Sequence, residues 1–327
     1  MKSRKLNYIT RPSKHIERKI FVDVLRCLSK IGYNIPKYHY VGFGSYYYAD
    51  FILFNRHLSI TDMTCLENDK DIKKRMEFNK PFKFIDLKIE DCGKFITKID
   101  KSKRYIVWLD FEKKLNKTIL VNIKSLIHSL KDGSLFIITV NADSKEMSGL
   151  EFANEAISSE FNKKQIDLLY QKSSEELNPF CGEIKRNDVS PKNLPSLYSK
   201  TIKNAIINAL IARSGESSFY QLFNYIYQDG ARMLTFGGII DSNNKETIIN
   251  ESLSGIKKYI NYDEIPTKIE LPSLTLKEKI YLDQNIEKND KIKGGLSGLP
   301  FELSSEELLN YLKFSKHYPT FYETIIN

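Results

Sequence analysis

The run Tyr105-Ile106-Val107-Trp108-Leu109 is five apolar residues in a row, stopped by Arg104 on one side and Asp110 on the other. A strand with one face in water alternates apolar with polar residues. A run without alternation must be covered on both faces, as in a parallel sheet sandwiched between helices. The chain offers partners for such a strand. Residues 38–43, 61–66, 84–89, 104–109 and 134–140 read as five strands. Residues 13–29, with Ser13 as cap, and residues 47–58, 71–78 and 119–130 read as the helices around and between them. Strands alternating with helices predict a doubly wound α/β sheet. Each strand also ends in residues able to bind or turn: Gly42 and Gly44, Glu67, Asp91, Asp110 and Asn141. In an open α/β sheet that edge is where ligands sit.

Beyond the fifth strand, residues 145–214 read as mostly helical, with segments at 148–161, 163–172 and 197–213. Residues 219–227 and 231–240 then flank Asp229-Gly230, a strong hairpin signal. Past residue 245 the pattern predicts a strand at 256–260 and a helix from about Thr275. A last helix opens on the capping box Ser304-x-x-Glu307. The expected organisation is a basic helical segment over 1–37, a Rossmann-like core over 38–244 with a helical insert at 145–214, and an α+β extension over 245–327. That extension would serve as a lid or as a substrate, homodimer or protein-partner surface.

Composition narrows the classes. With 327 residues, 41% hydrophobic and 28% charged, the chain has ample length for a large core. No stretch of eighteen apolar residues suggests a membrane span, and the N-terminus lacks the apolar segment of a secretory signal. Four scattered cysteines form no CxxC pair, which fits a reducing cytoplasm and argues against a zinc site. The net charge of +9 is concentrated at the start, where residues 1–40 hold ten Lys/Arg against Glu17 and Asp23. Two readings stand. Residues 2–30 contact an anionic partner such as nucleic acid, or the lysines are solvated surface in a Lys-rich chain. On the first helix, Arg18, Lys19 and Arg26 are expected mainly at the surface.

The loop Gly42-Phe43-Gly44-Ser45 follows the first strand, and the acid Glu67, beside Asn68, ends the second. A Gly-x-Gly turn lets a ligand approach the backbone, and a carboxylate at the second strand's tip can accept from ribose hydroxyls. The third glycine of a dinucleotide fingerprint is replaced by Tyr46. Five parallel strands closed by an antiparallel hairpin match the strand pattern of class I S-adenosylmethionine-dependent methyltransferases more closely than a dehydrogenase.

The blocks YVGFGSYYYADFILFNRHL, MTCLEND, RMEFNKPF, IVWLDFEKKL, GSLFIITVNA, YQDGARMLTFGG and LPFELSSEELLNYLKFSKHYPTFYE, spanning residues 40 to 323, resemble a family of bacterial proteins described as putative O-methyltransferases. The resemblance implies S-adenosyl-L-methionine as cofactor. Carried onto this chain, Gly42 and Gly44 match the cofactor-loop glycines, and Glu67 matches the ribose acid. Asp91 matches the acceptor for the adenine amino group, with Cys92 along the ring. Asp110 stands where many methyltransferases place a catalytic or metal-binding group, and it is also expected among the cofactor-binding residues. Tyr40 replaces the acid expected two residues before the first glycine. The methionine ammonium then needs another acceptor: a backbone carbonyl, Asp50 or Asp110. Metal-dependent catechol-type enzymes pair the strand-four acid with Asp-Asn after strand five. Here only Asn141 is present, so no metal is expected. The Asn/Asp-Pro-Pro-Tyr/Phe motif of DNA adenine methylation and the Pro-Cys pair of cytosine methylation are absent.

The expected activity is therefore S-adenosylmethionine-dependent, O-directed methyl transfer to a small molecule or nucleic-acid component. Asp110, His39 and His317 are the candidate catalytic groups, with His57 also near the loop. The alternatives are a nucleic-acid-directed methyltransferase using the basic arm and an inactive nucleotide- or partner-binding module.

Overall fold

The computed structural model describes residues 11–144, 159–213, 216–242, 244–287 and 291–319. The chain opens with α1 (Pro12–Ser29), followed by β1 (His39–Phe43), α2 (Ala49–Leu58), β2 (Asp62–Glu67), α3 (Lys73–Asn79), β3 (Ile85–Ile89) and the short α4 (Cys92–Ile96). Next come β4 (Tyr105–Lys114), α5 (Lys117–Ser129), β5 (Leu135–Asn141), α6 (Ser159–Cys181), α7 (Leu194–Ile211), β6 (Ser217–Gln228) and β7 (Arg232–Ser242). The C-terminal part adds α8 (Glu246–Ser252), β8 (Thr267–Ile269), α9 (Leu276–Gln284), the small pair β9 (Ile286–Glu287) and β10 (Lys291–Ile292), and α10 (Ser305–Phe314). The expected helix at 148–161 and the basic residues before Arg11 lie largely outside the described residues.

The large sheet has the order β3-β2-β1-β4-β5-β7-β6-β8. β7 pairs antiparallel with both neighbours, and every other pairing is parallel. This is the doubly wound Rossmann-like methyltransferase sheet with its reversed hairpin strand. An eighth strand extends its far edge.

The unbroken apolar strands split their side chains between two cores. Ile106, Trp108, Leu135 and Ile137 join the core under α1 and α2. Val107, Leu109, Phe136 and Ile138 join the core under α4 to α7. A third, small cluster (Leu282, Ile292, Leu308, Tyr311 and Leu312) holds the C-terminal unit together.

Three local expectations are corrected. Ser13 lies inside the first turn of α1 and does not cap it. Asp229 of the hairpin turn takes that place, its carboxylate accepting from the backbone N–H of Ser13 (3.2 Å) and Lys14 (2.9 Å). Residues 256–260 are not a strand, because Ser254–Tyr259 forms a 3-10 turn. Ile256 and Tyr259, its buried residues, stand three apart, which is helical spacing. The added strand is β8, paired parallel to β6. Finally, β4 runs past Asp110 to Lys114. Its register with β5 breaks there, since Asp110 pairs with Thr139 but Lys114 with Asn141. The extra residues bulge out at the sheet's C-terminal edge, a common device for re-aiming side chains beside a site.

Two stability predictions follow from α1. Asp229→Ala uncaps the helix and should lower unfolding free energy by about 1 kcal/mol in urea titrations, with Asp229→Asn retaining most of it. His15 has its pKa lowered to about 4 by burial, then by the charges of Lys19, Arg18 and His317. The unfolded chain takes this proton near the ordinary 6.5 and the folded chain only near 4. Stability from this residue is therefore present at pH 7 and lost as pH falls between those values. His15→Gln should lose less stability than wild type when urea midpoints at pH 7 and 4.5 are compared.

Candidate active site

The C-terminal ends of β1 to β4 open onto a cleft of about 630 Å³, within the usual range for small-molecule sites. It lies at the switch point of the sheet, where the chain leaves β1 for β2 on one side and later returns to β4 on the other. Phe43, Gly44, Ser45, Glu67, Asn68, Asp91, Cys92 and Asp110 all line it.

Each acid is held differently. Glu67 Oε1 accepts from the backbone N–H of Asn68 (2.8 Å) and Asp69 (2.9 Å). Burial pushes its pKa up, and these two bonds pull it back. Oε2 has no protein partner among the described residues. Asp91 caps α4, its Oδ1 accepting from Gly93 N–H at 2.8 Å. Cys92 is buried beside it, with a thiol pushed up to about 12 by burial, so it stays protonated at neutral pH. Phe111, Glu112 and Lys113 of the β4 bulge complete one wall, with Phe111 edge-on to Phe43 at 4.9 Å.

The glycines do something other than expected. Gly42 does not line the cleft. It shares a face of β1 with Tyr40, and a Cβ there would overlap the Tyr40 phenol, whose Cζ would lie at 2.8 Å. Gly42 is small because Tyr40 lies across it. A Cβ on Gly44 would overlap Met76 and Cys65. Tyr48, just before α2, adopts a left-handed conformation (φ 47°) that bulky residues rarely take, a strain often found at functional loops.

Asp110 sits at the cleft with its side chain 27% exposed and an ion pair to Lys14 at 3.1 Å. Lys14 is fully buried, and its ammonium also lies 2.9 Å from Glu17 Oε2 and 4.3 Å from the centre of the Trp108 ring. Trp108 Nε1 donates to Thr139 Oγ1 at 3.0 Å, and Thr139 bonds Thr235 at 2.8 Å. Glu17 has no exposed surface, and burial raises its pKa against the pull of Lys14. Arg18, 6% exposed, lines the cleft, so its expected surface role is corrected, and Lys14 is equally removed from any basic arm. Sequence reasoning missed Lys14 and Glu17 as site components.

The histidines do not join the site. His39 starts β1 at the opposite edge of the sheet, 2.9 Å from Asp62 and 2.8 Å from Thr64. His57, near the end of α2, contacts Arg26 at 3.1 Å. His317 is buried on the outer side of α1, 2.9 Å from Asp23 and edge-on to Tyr259. None of the three lines the cleft. Among the described residues no three His, Cys, Asp or Glu side chains are grouped to hold a metal, and no helix is long and apolar enough to cross a membrane.

The sheet order, with the cleft at its switch point, is that of the class I, Rossmann-like methyltransferase fold. More particularly, the family model described as "Putative O-methyltransferase" matches residues 6–326, so the chain belongs to that family and is a methyltransferase. No curated protein matches the chain. Among solved structures it is similar to Trm1 from Pyrococcus horikoshii in complex with S-adenosyl-L-methionine, at 9% identity over 73% of this chain and 57% of that one, with a TM-score of 0.40. It is also similar to the plantazolicin methyltransferase BamL, at 14% identity over 70% and 85% of the two chains, TM-score 0.37. A third is a probable spermidine synthase from Corynebacterium glutamicum, at 9% identity over 80% and 82%, TM-score 0.40. At these TM-scores the likenesses do not bear on the activity.

Lys14→Met leaves Glu17 buried without its counter-ion and should destabilise the fold by about 3–5 kcal/mol in urea unfolding. Lys14→Met combined with Glu17→Gln should recover part of that loss, since the uncompensated buried charge is then gone.

Proposed function

We propose that the cleft binds S-adenosyl-L-methionine and that the protein transfers its methyl group to an oxygen of a small molecule or nucleic-acid component. The observation that carries this reading is the convergence of Glu67, Asp91 and Asp110, from three different strand ends, on one cleft. The donor fits these residues. Glu67, with one oxygen fixed by two backbone N–H groups, keeps the other for the ribose hydroxyls. Asp91, fixed by Gly93, accepts from the adenine amino group. Cys92 and Phe111 supply apolar contact for the ring, and Gly44 and Ser45 lie along the loop beside it.

The donor supplies a methyl group already activated by its sulfonium. The protein's part is to align the acceptor and receive its proton. Asp110 is the residue for that proton. Lys14 holds its Oδ2, and Oδ1 has no protein partner among the described residues. No metal enters this scheme. Asn141, the other residue considered for one, has its Oδ1 accepting from Asp143 N–H at 2.8 Å.

Trp108, the chain's single tryptophan, lines the cleft and gives a direct readout. Its fluorescence should titrate with S-adenosylmethionine and S-adenosylhomocysteine in the wild type. Glu67→Ala should weaken both by about tenfold or more, the value of one or two lost hydrogen bonds to a charged acceptor. If the wild type binds neither ligand up to millimolar concentration by fluorescence and by calorimetry, the proposal is wrong.

A further inference from the structure

We infer that Asp50 and Arg18 form the subsite for the amino-acid end of the donor, with Asp50 taking the α-ammonium and Arg18 the α-carboxylate. The inference rests on the reading of the cleft given above and specifies a part of it that the strand-end acids leave open. An α-amino acid needs an anion and a cation side by side. The cleft lining is rich in acids but has only two cations among the described residues, Arg18 and Lys113. Lys113 belongs to the β4 bulge, whereas Arg18 is 6% exposed and comes from α1. Burial raises the Asp50 carboxyl above its ordinary range, and the Arg18 guanidinium is the charge that most opposes this. Arg18 and Asp50 therefore place a cation and an anion in the wall of the same cleft.

Asp50 is held ready by Tyr40, whose hydroxyl donates to its Oδ2. The Tyr40 ring is wedged edge-on between Phe51 (4.9 Å) and Phe54 (4.8 Å) and lies over Gly42. Burial, and then Asp50 itself, push the phenol well above its ordinary range, so it remains a donor. Tyr40 is thus a positioning residue. It fixes one oxygen of Asp50 at the cleft wall. Asp50 also lies in the first turn of α2, where a helix favours negative charge.

Of the two acids that could meet an ammonium here, Asp110 already has one in Lys14 at 3.1 Å. The two carboxylates therefore divide the work. Asp110 with Lys14 faces the reaction, and Asp50 with Arg18 faces the end of the donor that does not react.

Two ligands separate this from the general reading. S-adenosylhomocysteine carries the amino-acid end, and 5′-methylthioadenosine has the same adenosine without it. Binding to the full chain is measured by calorimetry and Trp108 fluorescence. The wild type should bind S-adenosylhomocysteine more tightly. Asp50→Asn, close in shape and able to keep an oxygen toward Tyr40, should weaken S-adenosylhomocysteine by about tenfold or more. Binding of 5′-methylthioadenosine should stay within about twofold, so that the preference collapses. Tyr40→Phe should erode the same preference by a smaller factor, and Arg18→Lys should do so while retaining the charge. Equal weakening of both ligands by Asp50→Asn, or no weakening of either, overturns the inference and leaves the donor site standing. If Asp50→Asn does not fold, an unchanged ligand preference in both Tyr40→Phe and Arg18→Lys overturns it. Failure of the wild type to bind either ligand overturns the donor-site reading and this inference with it.

Discussion

The ammonium of Lys14 is the interaction on which the site depends. It is wholly buried, bridges Glu17 and Asp110, and lies over the only tryptophan. Burying charge in this way is an expensive route to stability, since a well-packed apolar side chain often does as well or better. What a leucine cannot do is fix a carboxylate at the wall of a cleft. Lys14 does so for Asp110, with Glu17 paired to it from behind. Through Thr139 and Thr235 the same cluster ties the cleft ends of β4, β5 and β7 to a single helix. The polar floor is therefore one connected unit, and its geometry is set by where α1 lies.

That position is fixed from distant parts of the chain. The N-terminus of α1 is capped by Asp229, more than two hundred residues away, on the turn between β6 and β7. Its middle is clamped by the C-terminal unit, where Asp23 meets both Lys316 (2.7 Å) and His317 (2.9 Å). No described residue beyond Asn122 lines the cleft. The hairpin and the C-terminal unit nevertheless bear on it, because they hold the helix that carries Lys14, Glu17 and Arg18. This gives the C-terminal extension a physical role that differs from a lid over the strand ends.

Much of the architecture was legible because buried parallel strands cannot disguise themselves. The runs around Val107 and Ile137 admit few other placements, and the acids at the strand tips mark the ligand edge. The misread segments have specific causes. Ile256 and Tyr259 look strand-like only if the three-residue spacing is ignored. His39 stands three residues before Gly42, yet a strand carries those residues toward opposite edges of the sheet. The charged residues of α1 were the largest omission, although a signal for them existed. Leu28, Leu25 and Phe21 form a buried seam at helical spacing, and the same seam continues as Arg18, Glu17 and Lys14. A buried stripe that turns from apolar to charged as it nears the ligand edge of a sheet marks a helix that enters the site.

Tyr40 and Gly42 make a similar point at shorter range. Read as motif letters, a tyrosine in place of an acid looks like loss of a ligand-binding group, and the glycine after it looks like part of a phosphate-style turn. Read as a strand, the two residues share a face, and a long side chain at 40 needs an empty position at 42. The phenol occupies that space and reaches the carboxylate of Asp50. The carboxylate that Tyr40 holds thus stands in the first turn of the next helix and not on the strand. The left-handed Tyr48 makes the tight entry into that helix. Tyr40, Gly42, Tyr48 and Asp50 are then four parts of one arrangement, which explains why the loop departs from the usual pattern at several positions at once.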